Sequence, residues 1–291
     1  MQRFTTSMAR GNQITARDAS GISNDDLRTV CPSIFATEAH ESRSARFAPI
    51  PTVSVLDGLR REGFVPMMAA QSRSRIPGKA EFTKHMIRMR HVSLKNDAEE
   101  AFETILVNAN DGTSAYQLLS GIWRMVCANG NVSGKTFSSE KIRHSGNPMQ
   151  DVIEGAYTVL DQAPRVMAAM DSFKCLTLSR DEQEVFAEAA HVARFPQAYA
   201  SPEERKAAPI PTDRLLQARR AEDRAHDLWT TYQRVQENVV RGGQIGQIIN
   251  AQGNVRNQRT RPVNGIDQNR DLNMALWMLT ERMAELKAAA A

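Results

Sequence analysis

The sequence predicts an α+β protein: a three-stranded antiparallel meander packed on helices, with a largely helical C-terminal half. Three observations predict it. Three strand-length runs follow one another between residues 64 and 110, joined by short turn-rich connections that favour antiparallel neighbours. An apolar segment with helical spacing comes directly after them. From Met149 onward, helix-length segments dominate.

Residues 1–21 are polar, rich in Thr, Ser, Gly and Asn, and read as a flexible arm. Ser23-Asn24-Asp25-Asp26 opens a short helix, with Ser23 or Asn24 supplying the cap oxygen, and Pro32 ends it. Residues 41–51 are loop. A helix starts at Thr52 and ends on Gly63. The strands are expected at 64–75, 82–94 and 101–110, separated by Ile76-Pro77-Gly78-Lys79 and Lys95-Asn96-Asp97. Alternation puts Lys84, Met86, Arg88 and Arg90 on one face of the second strand, and His85, Ile87 and Met89 on the other. Gln71, Arg73 and Arg75 share a face of the first.

Residues 114–127 carry Leu118, Leu119, Ile122, Trp123 and Val126 at helical spacing, so a helix is expected there, with Leu119 and Trp123 buried against the sheet. Residues 131–146 read as strand, turn, strand. Helices follow from Met149 to about Ala193, broken near Pro164 and between Lys174 and Ser179. The Pro- and Ala-rich stretch 195–213 reads as a mobile excursion. A charged helix is expected over 214–240, stopped by Gly242-Gly243. An Asn/Gln/Gly-rich irregular stretch follows, then a final helix from Asp271 to Ala288. Residues 22–194 are thus expected to form the core, with 214–291 completing the same domain.

Composition narrows the class. Hydrophobic residues make up 41% and charged residues 24%, which fits a globular chain and excludes a wholly disordered one. No apolar run approaches the ~20 residues that span a bilayer, and the N-terminus lacks the apolar core of a secretory signal. Cys31, Cys127 and Cys175 are odd in number and widely spaced, so neither a disulfide framework nor a zinc pattern is expected. That points to a reducing, cytoplasmic setting.

The net charge of +4 is mild, but its placement is uneven. Arg60 to His91 holds eight cations against Glu62 and Glu81. Asn238 to Ile266 holds Arg241, Arg256, Arg259 and Arg261 and no acid. Clustered positive charge is the footprint of a polyanion partner; the competing reading is a solvated basic face.

Catalytic motifs fail on spacing. In CANGNVSGKT, Gly130 and Gly134 are separated by three residues, where a phosphate loop needs four, and the loop follows a helix-like rather than a strand-like segment. The six histidines show no paired metal spacing. Asn108, Asn110, Asp111, Asn129 and Asn131 read as turn and cap residues. No enzymatic constellation and no cofactor is expected.

GLRREGFVPMMAAQSRSR, KHMIRMRH, the 108–130 run NANDGTSAYQLLSGIWRMVCANG, and YQRVQENVVRGG followed by RTRPVNGID resemble the phage- and plasmid-borne family called domain of unknown function 932. The resemblance spans roughly residues 22–287. It implies a mobile-element origin and a bacterial cytoplasm, and brings no assigned activity. A second resemblance is topological. Helix, three antiparallel strands and an apolar helix are similar to the core of Rad52-type single-strand annealing proteins, which assemble into rings on single-stranded DNA.

The expected function is therefore a non-enzymatic protein that binds single-stranded DNA or RNA, with annealing and a homo-oligomer or ring as its extension. Arg73, Arg75, Lys84, Arg88 and Arg90 would contact phosphates, with Arg256, Arg259 and Arg261 as a second contact. Phe64 and Phe82 are the only aromatics near the basic strands, which favours backbone contact over base stacking. The competing view pairs these arginines with acids such as Glu62, Glu81 or Glu103. The alternative function is a protein-binding module, such as an inhibitor of a host defence factor.

Overall fold

The structure, a computed structural model, describes residues 12–16, 18–42, 51–94, 100–124, 129–132, 140–142, 148–201, 208–249 and 254–290. The chain groups into two compact units. One holds residues 1–130 and 137–164, the other 131–136 and 165–291. The helix at 180–194, expected with the sheet, lies in the second unit.

The first unit is built on one antiparallel sheet. Its strands run in sequence order: β1 (Gln13–Thr15), β2 (Phe64–Gln71), β3 (His85–His91), β4 (Glu100–Asn108), β5 (Tyr116–Arg124) and β6 (Asn129–Gly130). β7 (Glu140–Ile142) also pairs with β5. Among the described residues, three helices lie in this unit: α1 (Asn24–Val30), α2 (Thr52–Arg61) and α3 (Pro148–Leu160). α1 starts where the Ser23 hydroxyl accepts from the Asp26 N–H at 3.1 Å. A 3₁₀ turn opening on Pro32 follows it. α2 buries Val55, Leu56 and Leu59. α3 reaches the sheet through Gly155, where an added Cβ would lie 2.8 Å from a methyl of Leu118 on β5.

Three corrections follow. The strands expected at 64–75, 82–94 and 101–110 exist in shorter form, but they are not a complete three-stranded sheet. The sheet continues through β5, and the expected helix at 114–127 is that fourth long strand. Every residue of β4 is buried, and so is β5 apart from a half-buried Gln117. A strand covered on both faces reads as an unbroken apolar run, and its spacing mimics a helix. Leu119 and Trp123 are buried as expected, but from a strand. The likeness to an annealing core, drawn on that helix, loses the element that completed it. Of the N-terminal arm, residues 1–11 lie outside the described residues, while Gln13–Thr15 pairs with β2.

The second unit contains α4 (Ala163–Lys174), α5 (Arg180–Arg194), α6 (Leu228–Arg241), the hairpin of β8 (Ile245–Ile249) and β9 (Val255–Arg259), and α7 (Ile266–Ala290). α5 begins with a reciprocal cap, in which Ser179 accepts from the Glu182 N–H and the Glu182 carboxylate accepts from the Ser179 N–H. α6 is central. Trp229 stacks on Tyr232 with centroids 5.2 Å apart, and Trp277 of α7 meets both edge-on.

Two expectations fail here. The helix expected over 214–240 forms only from Leu228, capped by Asp227, whose carboxylate accepts from the Thr230 N–H at 2.7 Å. Residues 212–216 and 221–223 are 3₁₀ turns instead. Between them, Arg219 and Arg220 reach back to α6. The expected irregular stretch after Gly242-Gly243 holds the β8–β9 hairpin, whose strands contain the β-branched residues Ile245, Ile248, Ile249 and Val255. Residues 202–207 of the expected excursion lie outside the described residues, as does the Gly134-Lys135-Thr136 segment.

Candidate nucleic-acid interface

Strand alternation placed Lys84, Arg88 and Arg90 on one face of β3, but that face is not a basic surface. Arg88 is only 3% exposed, and its Nε donates to Glu103 Oε2 at 2.5 Å. Arg90 Nε donates to Glu103 Oε1 at 3.0 Å. Glu103 sits on β4 with no exposed surface at all. The guanidinium of Arg88 also lies 5.8 Å from the ring centroid of Trp123. One carboxylate thus holds two arginines inside the unit, because a buried charge is tolerable only when paired. Lys84 is buried at the start of the strand. Lys84 and Arg88 are buried and Arg90 is half-buried and paired, so the three do not form an exposed basic face. Arg73 and Arg75 fall beyond the end of β2, on exposed chain. Lys79, in the same loop, pairs with Asp111 at 3.3 Å.

The opposite sheet face hides a polar network that the sequence reading missed. His85 is fully buried. Its Nδ1 lies 3.0 Å from the Ser33 hydroxyl and its Nε2 2.9 Å from the Thr52 hydroxyl. Thr52 in turn meets the Tyr116 hydroxyl at 2.9 Å and accepts from Asn108 Nδ2 at 3.0 Å. Gln71 Oε1 accepts from both the N–H and the hydroxyl of Ser33. Burial pushes the His85 imidazole down to about 4, opposed in part by a backbone hydrogen bond at Thr83. Burial likewise raises the Tyr116 phenol. These groups are enclosed and tie the 3₁₀ turn at Pro32–Phe35, α2 and the four strands β2, β3, β4 and β5 together. Asn108, read as a turn residue, is therefore a core residue; its place in an apolar strand run was the available signal.

In the second unit, Arg241 is also neutralised. Glu237 accepts from Arg241 Nη1 at 2.6 Å and from Arg220 Nη2 with both oxygens. Arg219 Nε donates to Asn238 Oδ1 at 2.7 Å. The YQRVQENVVRGG segment thus carries buried polar residues that hold the turns before α6 against it.

The hairpin differs. All five residues of β9 are exposed. Arg256 and Arg259 lie on it, and Arg261 follows directly, also exposed. Among the described residues, none of these three side chains has an ion-pair or hydrogen-bond partner. Ile245 pairs with Arg259 and Gln247 with Asn257, so these residues share one face, while Arg256 points to the other. The outer edge of β9 has no strand beside it among the described residues. Among the described residues, the ribbon thus has a bare edge and a cation on each face.

The profile described as "Domain of unknown function (DUF932)" matches residues 39–277, and the chain is a member of that family. Among curated relatives, it is 41% identical to UPF0380 protein YafZ and to UPF0380 protein YfjQ, both of Escherichia coli (strain K12). Each alignment runs over 283 residues, 97% of this chain and 98% of the relative. No solved structure matches.

Proposed function

We propose that the protein binds single-stranded nucleic acid by its phosphates, and that the β8–β9 hairpin is the contact. One observation carries this reading: β9 is exposed along its whole length and presents Arg256 and Arg259, with Arg261 just beyond, in a stretch that contains no carboxylate from Gly242 to Ile266. Three unpaired guanidinium groups in one short ribbon repel one another, and a polyanion relieves that repulsion. Arg73 and Arg75 offer a separate exposed contact on the first unit.

A direct test is oligonucleotide binding across a salt series, with duplex DNA as competitor. Affinity is expected to fall linearly on a double-logarithmic salt plot, because each phosphate contact releases condensed counterions. Duplex that competes as well as single strand would contradict the single-strand preference. The second reading, a protein-docking hairpin, draws on Ile245 and Val255, which are 49% and 59% exposed. Absent or salt-indifferent binding to oligonucleotide would favour it.

A further inference from the structure

The second unit has a groove where α5 stops and α7 runs on. α5 ends at Arg194 because Pro196 disfavours helical backbone at Phe195, and the chain turns off into a 3₁₀ turn over Pro196–Tyr199. α7 packs on α5 in the opposite direction: Lys287, near its end, bonds to Glu182 in the first turn of α5 at 3.0 Å. Residues 268–275 of α7 therefore pass the corner at 193–197. Between them lies an open groove of about 630 Å³, a volume suited to a small organic molecule. Asp271, Leu272 and Ala275 stand three, four and seven residues after Gln268, so the four share the helix face that forms one wall. Phe195 and Pro196 make the opposing wall apolar.

Arg194 supplies the charge. Its Nε donates to the Val239 carbonyl at 3.2 Å and its Nη2 to the Arg261 carbonyl at 2.9 Å. These two atoms form the side edge of the guanidinium. The end edge, Nη1 with the second hydrogen of Nη2, has no partner among the described residues. The guanidinium carbon lies 5.1 Å from the ring centroid of Phe195, and both residues line the groove. Among the described residues no carboxylate pairs with Arg194, and burial lowers its proton affinity unopposed. Asp271, on the other wall, is taken by Arg270, whose Nη2 lies 2.8 Å away.

We propose that this groove binds a molecule with one carboxylate on an apolar body. The end edge of a guanidinium offers two parallel N–H groups, the complement of a carboxylate's two oxygens. One negative charge relieves a half-buried cation that lacks a counter-ion. A single arginine with Asp271 nearby selects a monoanion over a phosphate monoester, which carries close to two charges at neutral pH. The apolar body rests on Phe195, Pro196 and Leu272. A free carboxylic acid and the C-terminal residue of a peptide present this same chemistry. The proposal stands apart from nucleic-acid binding, since it uses neither the hairpin side chains nor the first unit.

Calorimetric titration of the full chain with hexanoate, phenylacetate and acetyl-phenylalanine, each beside its neutral amide, tests it. At least one carboxylate is expected to bind saturably, and more tightly than its amide by about tenfold, the order of one charge-assisted contact. Tighter binding of acetyl-phenylalanine than of the free acids supports the groove as a peptide-terminus site, and the reverse order supports it as a free-acid site. Arg194→Gln should erase the preference for the carboxylate. Because Arg194 also holds two carbonyls, Ala275→Trp is the second variant: Ala275 is exposed, and an indole there fills the groove while leaving Arg194 in place. It should abolish binding with the melting temperature unchanged. No saturable binding, equal binding of acid and amide, or an Ala275→Trp variant that binds as the parent does overturns the proposal.

Discussion

A single buried imidazole sets the acid limit of the first unit. His85 is neutral in the folded chain, with its affinity for a proton lowered by burial from 6.5 to about 4. The unfolded chain therefore binds more protons as pH falls through 6.5, and folding stability must fall with it. The loss should reach about 2 kcal/mol between pH 7.5 and pH 5, relative to a chain that lacks this titration. Urea unfolding of the parent and His85→Gln at several pH values measures it. Parallel curves for the two proteins would show that His85 is not buried as described. Glu103 is the second decisive residue. Glu103→Gln leaves Arg88 enclosed without its carboxylate, and should cost ~3–5 kcal/mol. A variant as stable as the parent would mean that the Arg88 charge reaches water. An acid in the middle of AFETILVN was a legible sign that it must be paired, since apolar surroundings do not tolerate a lone carboxylate.

At the scale of elements, the turns and caps were easier to read than the buried strands. Ser23, Ser179 and Gly242-Gly243 mark real helix boundaries, because capping and positive φ are local requirements. β5 was misread because period is lost when both faces of a strand are covered. Tyr116, Ile122 and Trp123, with Ser120 and Gly121 as poor helix formers, were the competing strand signal. Trp123→Ala should cost ~3–5 kcal/mol, as for any large aromatic truncated in a core. An unchanged melting curve would contradict its burial among Met68 and Ala101. The hairpin makes an independent prediction. Gly246→Ala places a methyl group against the Pro209 carbonyl, so the ribbon should lose its seat. Amide exchange over residues 245–259 should speed up while β3 and β4 stay protected. Unaltered exchange would mean that the ribbon is seated elsewhere.

On the scale of the whole molecule, the mild net charge conceals a sorting of arginines. Arg88 and Arg90 on β3 are held by Glu103, and Arg220 and Arg241 are held by Glu237. Those on β9 and just after it face solvent. Sequence counting sees both groups alike, because partners distant in the chain, such as Arg220 and Glu237, become neighbours only in the fold. Among the described residues, no helix is long and apolar enough to cross a membrane. The central claim is that the hairpin arginines, and not the sheet arginines, hold nucleic acid. The most direct test is the salt dependence of single-strand binding by Arg256→Ala/Arg259→Ala/Arg261→Ala. If each arginine meets one phosphate, the slope should flatten by about 2, at about 0.7 per contact on a single strand, with the melting temperature unchanged. A triple variant that binds as the parent does, with the same slope, would contradict the account.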